Sequence, residues 1–256
     1  GEDLTSGANN FFGGYGAGKN ATTASYTVAI GSDAIGLGVL TGSYNTAIGQ
    51  GAGYDLTSGT YNFFSGYRAG YNATTASNTI AIGKDVMSLG VLTGANNIAM
   101  GNTAGNDLTS GANNIFQGVG AGGNATTANY SIAIGYSAIG IGILTGTDNV
   151  AIGNLSGQDL TSGTYNNFMG YGAGANVTTG SYSVLQGYKA GLNATTASNT
   201  IAIGKSAIST GVLTGTDNTA IGQLAGNDLT SGTYNFFGGY QAGLNATTAS
   251  NTVAIG

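Results

Sequence analysis

The sequence contains no cysteine, proline, histidine or tryptophan, and these absences exclude several kinds of chemistry. Without cysteine the chain can form neither disulfide bonds nor thiol nucleophiles. A serine nucleophile would lack its usual base, because there is no histidine. Glycosidase chemistry requires paired carboxylates, and Glu2 is the only glutamate. We therefore expect no enzymatic activity, no catalytic residue, no cofactor and no metal site.

Charged residues are also scarce, with five Lys and Arg against ten Asp and Glu and a net charge of −5. The five cations are scattered along the chain at Lys19, Arg68, Lys84, Lys189 and Lys205. They form no basic patch for phosphate backbones, so we expect no nucleic-acid partner. The longest apolar passages are broken by glycine, as in residues 34–40, and fall short of the roughly 18 residues of a membrane helix. We expect no membrane insertion.

Glycine is abundant instead, at 49 of 256 residues, and its spacing is regular. A strand motif of the form Asn-x-x-Ile-Gly, or a variant of it, ends in what we call an anchor glycine. The anchor glycines are Gly14, Gly31, Gly49, Gly66, Gly83, Gly101, Gly118, Gly135, Gly153, Gly170, Gly187, Gly204, Gly222, Gly239 and Gly256. Their sequence numbers increase by 17 or 18 at every step, which indicates a repeat protein whose coils stack on one another.

Three coil types alternate, and we call them the aromatic coil, the long coil and the aspartate coil. They are represented by residues 62–66 leading into 72–75, by residues 78–83 leading into 91–94, and by residues 97–101 leading into 107–111. Together they form a super-repeat with a period of 52, made of coils of length 17, 17 and 18, as the series Asp3, Asp55, Asp107 and Asp159 shows. The next member, Asp228, comes one coil later than this period places it, which indicates one extra coil near residues 171–187.

The repeat length and the choice of residues predict β-structure. Coils of this length are too short for a helical hairpin, which takes about 33 residues or more, and they are rich in poor helix formers such as glycine and threonine. Stacked coils would pair strand on strand in parallel at about 4.8 Å. We predict an all-β, parallel β-solenoid, or β-roll, of about fifteen coils. It would be a single repeat domain over residues 1–256 and a segment of a longer fibre.

Two stretches carry a resemblance to known families. Residues 26–31 and 218–222 resemble the head repeats of trimeric autotransporter adhesins. Residues 61–70 are similar to repeat regions of tailed-phage fibres and related virion proteins. The resemblance covers the whole chain and implies three parallel chains about one axis. It also implies a stalk or receptor-contacting head that is extracellular, at a cell surface or on a virion.

The strand residues give a candidate contact between subunits. Successive residues of a strand point to opposite faces, so Ile30 and Phe12 occupy strand positions of opposite facing. If isoleucine faces the coil interior, a column of phenylalanines faces outward and needs a partner. The predicted subunit contact consists of Phe12, Phe64, Phe116, Phe168 and Phe237. If the facing is reversed, the isoleucine column takes that place.

A second column follows the anchor glycines of the aromatic coils. It consists of Tyr15, Tyr67, Tyr171, Tyr188 and Tyr240. We predict that these tyrosines are exposed. They could shield the corner of the coil or pack between subunits, and they could also stack against sugar rings. A cell-surface glycan or receptor is thus a candidate partner beside the chain itself.

Three further patterns have a structural explanation. Residues 13–20 approach a phosphate-binding loop, but the position of Lys19 carries unrelated residues in equivalent coils, so we expect no nucleotide binding. Six Asn-x-Thr triplets, beginning at Asn20, Asn72, Asn124, Asn176, Asn193 and Asn245, match glycosylation acceptors but also suit turns. The aspartates Asp3, Asp55, Asp107, Asp159 and Asp228 are too far apart to share a calcium ion, and we predict that they cap turns.

Three functions from different classes remain open. The first is a structural or adhesive homotrimeric fibre, and the second is a self-assembling extracellular filament. The third is an ice- or surface-binding solenoid. We rank the third last because it needs threonine in every coil, whereas the Thr-Thr pair recurs mostly once per three coils.

Overall fold

The computed structural model describes residues 1–256 and contains fifteen β-strands and no helix. The chain divides into two compact units, Gly1–Asn129 and Tyr130–Gly256. Each unit is a parallel β-solenoid in which every coil contributes one strand to the same sheet. The predicted all-β, parallel β-solenoid of short coils is therefore confirmed.

Every strand has three residues and ends one residue before its anchor glycine. The first unit contains β1 (Phe11–Gly13), β2 (Val28–Ile30), β3 (Thr46–Ile48), β4 (Phe63–Ser65), β5 (Ile80–Ile82), β6 (Ile98–Met100) and β7 (Ile115–Gln117). The second contains β8 (Ile132–Ile134), β9 (Val150–Ile152), β10 (Asn167–Met169), β11 (Val184–Gln186), β12 (Ile201–Ile203), β13 (Thr219–Ile221), β14 (Phe236–Gly238) and β15 (Val253–Ile255). Within each unit neighbouring strands pair in parallel and in register, so Phe64 lies beside Ala47 and Ala81.

The anchor glycines allow the chain to leave the strand at a tight corner. Gly31 has a φ of 127°, and a Cβ atom there would lie 2.6 Å from the carbonyl oxygen of Gly49 in the next coil. Only glycine fits this conformation and this approach of two backbones. The period found in the sequence is therefore the period of the backbone contacts between coils.

Non-glycine residues also adopt left-handed conformations at fixed positions. There are 29 of them, with φ between 45° and 64°. One lies five residues before each anchor glycine, as in Tyr61, and others lie two or four residues after it, as in Arg68 and Met87. These conformations cost L-residues roughly 1–2 kcal/mol each, so the contacts between stacked coils must hold them in place.

The middle residue of each strand faces the interior of the coil. Phe64, Phe116, Phe168 and Phe237 are fully buried, as are the alanines paired beside them except Ala254 in the last coil. The prediction that Phe12 and these four phenylalanines form a subunit contact is therefore wrong. The ring of Phe12, in the first coil, also points inward, because a Cβ atom on Gly1 or Gly18 would meet it. A three-residue strand has one inward position, and the larger ring takes it because the interior has room for it.

The space that each phenylalanine ring occupies in the interior explains why the super-repeat has three coils. The Phe64 ring lies against Gly53 of the aspartate coil before it and Gly70 of its own coil, whose Cβ positions are 2.9 and 2.8 Å from ring atoms. In the long coil that follows, the strand carries Ala81, and Met87 takes the position equivalent to Gly70 and is buried. One phenylalanine thus fills the interior of two coils, and one methionine or isoleucine fills that of the third.

The extra coil near residues 171–187 follows the same rule. Its strand carries Leu185, which is buried where an aromatic coil has phenylalanine. A Cβ atom on Gly191 would lie 2.6 Å from a Leu185 methyl carbon, and Phe168 covers Gly174 one coil earlier. The insertion therefore brought its own interior side chain and the glycine that accommodates it.

Buried asparagines that directly precede strands in the sequence join successive coils through hydrogen bonds. The Asn62 side-chain amide donates to the Ala76 carbonyl at 2.7 Å and to Asn45 Oδ1 at 3.1 Å. Its own Oδ1 accepts the backbone N–H of Thr79 at 3.0 Å. Because buried polar groups are costly unless they are hydrogen-bonded, this ladder fixes the stacking register.

Candidate functional site

The outer face of each sheet is apolar and partly exposed. The first and third residues of every strand form it, since only the middle residue points inward, and we call these residues the outer sheet face. Ile30, Ile48 and Met100 are exposed by 38–39%. No strand residue in either unit is charged. The isoleucine column, predicted as the alternative contact, is therefore the one that faces outward.

The predicted tyrosine column is exposed, as the sequence indicated. Tyr15 is exposed by 85%, and Tyr67, Tyr171, Tyr188 and Tyr240 by 43–62%. Tyr171 and Tyr188 stack with their ring centroids 5.4 Å apart, and the Lys189 ammonium lies 5.4 Å from the Tyr188 ring centroid. These tyrosines stand at the corner of the coil directly after the anchor glycine.

A second tyrosine column, which was not predicted, lies five residues before the anchor glycine. Tyr26, Tyr44 and Tyr61 stack with centroids 5.0 and 4.8 Å apart and with nearly parallel rings. All three have positive φ, and all three are about half exposed. Alignment of the coils on their anchor glycines would have revealed the column, because it places these tyrosines at one position.

The corner of the first unit contains a cavity of about 230 Å³, which we call the corner groove. Its side chains are Asp33, Gln50, Tyr54, Tyr67, Arg68 and Tyr71. Tyr54 and Tyr71 stack at 4.7 Å, and the Arg68 guanidinium carbon lies 4.4 Å from the Tyr71 ring centroid. An adjoining cavity of about 270 Å³ shares Asp33 and Tyr54.

The electrostatics of the groove follow from this packing. Burial raises the pKa of Tyr71, and the neighbouring Tyr54 and Asp55 add to the rise, while Arg68 opposes it. Lys19 Nζ lies 3.9 Å from a Glu2 carboxylate oxygen, and Lys84 pairs with Asp85. These are the two ion pairs of the chain, so Arg68 has no carboxylate within 4.0 Å.

The predicted capping role of the aspartates is wrong. The carboxylates of Asp3, Asp55, Asp107, Asp159 and Asp228 form no side-chain hydrogen bond, although the adjoining backbone groups are bonded from coil to coil. Burial raises the pKa of Asp55 and of Asp107, because the charged form loses solvation there. The structure brings together no group of three or more residues able to hold a metal ion.

Four of the Asn-x-Thr asparagines, Asn20, Asn72, Asn176 and Asn193, donate to the next coil. The Asn20 amide donates to the Leu37 carbonyl at 2.8 Å, and the Asn72 amide donates to the Leu89 carbonyl at 3.0 Å. This supports a structural explanation of the triplets, with the next coil rather than the local turn as the acceptor. Lys19, in the stretch similar to a phosphate-binding loop, is engaged with Glu2.

Threonine, in contrast, is present in every coil and not only in those that carry a Thr-Thr pair. It follows the leucine, alanine or valine that the second side of the coil carries, at Thr5, Thr22, Thr41, Thr57, Thr74, Thr93, Thr109, Thr126, Thr145, Thr161, Thr178, Thr195, Thr214, Thr230 and Thr247. Many of these hydroxyls donate to a carbonyl of the next coil, as Thr57 does to Thr74 at 3.0 Å. We call this column the threonine ladder. The repetition of threonine in every coil that the third hypothesis requires is therefore present.

Comparison of the chain with protein-family models, with curated proteins and with solved structures finds no match in any of the three. The structure also contains no helix of the length and apolarity needed to cross a lipid bilayer. Functional conclusions therefore depend on the surfaces described above.

Proposed function

We propose that this chain is a non-enzymatic, structural or adhesive fibre segment that associates with copies of itself through the outer sheet face. The observation that supports this most directly is the composition of that face. Both outward strand positions carry mostly valine, isoleucine, methionine or phenylalanine, and none carries a charge. A solvated sheet would alternate apolar and polar residues.

The extent of the face supports the same proposal. A strand of three residues is about 10 Å wide, and strands repeat about every 4.8 Å, so each unit presents a few hundred Å² of uncharged surface. Monomeric proteins seldom expose larger contiguous apolar patches than this, and larger ones usually mark interaction sites. A second copy is the occupant that fits best, because its own face offers the same flat, periodic and uncharged surface.

The arrangement that follows is a parallel homotrimer, with the outer sheet faces turned towards the common axis. Such a fibre would act outside a cytoplasm, at a microbial surface or on a virion, where it projects or makes contact. A self-assembling filament remains the alternative within this proposal. The two differ in whether association stops at three chains.

The test is to place a charge on this face and compare it with the same charge elsewhere. Ile48→Asp combined with Ile82→Asp should give a folded monomer, since a carboxylate in an apolar contact is unpaired and desolvated. Thr75→Asp, at an exposed position away from the strand, should leave the assembly intact. Sedimentation equilibrium should give the mass of three 25.0 kDa chains for the wild type.

A stable wild-type monomer would rule out self-association through this face. A mass that keeps growing with concentration would replace the trimer by the filament. An assembly unaffected by the two aspartates would place the contact on another surface.

The threonine ladder favours a second candidate, the ice- or surface-binding solenoid. Hydroxyls that donate to carbonyls hold their side chains in one rotamer, so methyl groups repeat at the coil spacing and could order water. Thr41→Lys with Thr93→Lys should then abolish thermal hysteresis, whereas Ile48→Asp should not. No hysteresis in the wild-type protein would eliminate this candidate.

A further inference from the structure

The corner groove departs from the repeat around it. In an array of equivalent coils, core positions repeat because packing demands it, whereas a local departure on the surface has no such cause. The position of Tyr71 is occupied in other aromatic coils by Lys19, Gly123, Ala175, Leu192 and Leu244. In the preceding aspartate coil Tyr54 stands where Asn106, Gln158 and Asn227 stand elsewhere. Tyrosines therefore occupy these two positions of adjacent coils only at this groove.

The cation of the groove is the only arginine of the chain. The Arg68 guanidinium carbon lies over Tyr71, 4.4 Å from the ring centroid, and no carboxylate lies within 4.0 Å of the guanidinium. A guanidinium held in this way presents a planar set of donors that matches a carboxylate in geometry. The guanidinium rests on the ring and forms no ion pair, although Asp33 lines the same groove, so its donors are available to an anion.

The other side chains of the groove suit hydroxyl groups and a ring. Gln50 and Asp33 supply an amide and a carboxylate within the same cavity, which can accept and donate hydrogen bonds. Tyr67 is exposed by 43% and offers an apolar surface at the rim. A volume of about 230 Å³ is enough for one small ring but not for a peptide segment.

We propose that the corner groove binds an acidic sugar, such as the terminal residue of a glycan. Arg68 holds the sugar carboxylate, Gln50 and Asp33 bond its hydroxyls, and Tyr67 covers one side of the ring. This names a ligand class for the adhesive role and rests on that proposed function. The site lies within one chain, so binding can be measured whether or not the chains assemble.

The binding test compares sugars that differ in charge. Titration of the wild-type protein with glucuronic acid and with N-acetylneuraminic acid, followed by NMR chemical-shift changes, should show saturable binding. Glucose should bind at least roughly tenfold more weakly, because it lacks the charge-assisted bonds. Affinity for the acids should fall as salt is added. Absence of saturable binding, or equal affinity for glucose, would refute the proposal.

The second unit provides a matched control for the arginine. Lys189 also lies over an exposed tyrosine, but its corner has Leu192 in place of Tyr71. Arg68→Ala should weaken binding of the acidic sugars by roughly tenfold or more, Arg68→Lys should weaken it less, and Lys189→Ala should leave it unchanged. Equal losses in Arg68→Ala and Lys189→Ala would show non-specific charge attraction and overturn the site.

Two outcomes separate the two proposals. A monomeric protein that still binds acidic sugars would contradict the trimer and keep the groove. A trimer without sugar binding would keep the fibre and remove the groove, leaving the stack of Tyr54, Tyr71 and Arg68 with the role of shielding the corner. Unchanged melting temperatures in the variants would show that losses of binding are not losses of fold.

Discussion

Phe64→Ala should destabilise the first unit by about 3–5 kcal/mol, the range for removing a buried aromatic ring, and Phe64→Asp should prevent its coils from folding. The ring fills the interior of two coils and is fully buried. An aspartate there would be an unpaired charge with no solvent. Unfolding in denaturant followed by circular dichroism measures the first effect directly.

The same site allows a sharper test through its neighbouring glycine. In the wild type, Gly70→Met should be destabilising, because a Cβ atom there lies 2.8 Å from the Phe64 ring. In the Phe64→Ala background it should be stabilising, because alanine with methionine is the pair that the long coil uses at Ala81 and Met87. The effect of one substitution should thus change sign with the other.

Phe116→Ala provides the control for this pair. Phe116 contacts Gly105 and Gly122 and not Gly70, so its effect should add to that of Gly70→Met. Additivity in both combinations would contradict the explanation of the super-repeat by interior volume.

Gly170→Ala should be strongly destabilising for so small a change, costing roughly 3 kcal/mol or more. Its φ is 130°, and a Cβ atom would lie 2.6 Å from the carbonyl oxygen of Gly187. Backbone atoms cannot give way as a side chain can. Strain in the dihedral and overlap with the next coil therefore act together.

Gly172→Ala, two residues further on, is the matched control. Gly172 also has a positive φ, of 60°, but its nearest neighbour is a Lys189 side-chain carbon at 3.6 Å. Gly172→Ala should therefore lower the free energy of unfolding only by the cost of the left-handed conformation, roughly 1–2 kcal/mol. Denaturant midpoints for both variants decide the matter, and equal losses would mean that the approach of the two backbones is unimportant.

Much of the fold could be predicted because the backbone constraints repeat. Anchor glycines such as Gly31 and Gly83 give the coil length, and the parallel sheet follows from that length. The facing of the strand could not be derived in the same way. Alternation of inward and outward positions fits Ala-Ile and Phe-Gly equally well, so the sequence leaves both facings of the strand open. The facing is indicated by the residue four positions after the anchor glycine. In the aromatic and long coils this residue is small where the middle strand residue is large, as in Gly70 with Phe64, and large where it is small, as in Met87 with Ala81.

The candidate sites differ in the same respect. Exposure of Tyr67 and Tyr171 could be predicted, since both stand at a corner next to an anchor glycine. The corner groove could not, because Tyr54 and Tyr71 belong to different coils and meet only through stacking. The threonine ladder was visible in the sequence, at Thr41 and Thr57 for example, but it required alignment on the preceding apolar residue.

The left-handed residues have a consequence for how the chain acquires its shape. A single coil carries up to three strained backbone positions, as at Asn78, Asp85 and Met87, and has too little interior to compensate for them. A coil that closes against an existing one gains a row of backbone hydrogen bonds and half a buried ring at once. Folding should therefore be slow to start and quick to extend, like the growth of a crystal from a seed. Formation of the first pair of coils would limit the rate, and each later coil would then form its backbone hydrogen bonds on the coil already in place.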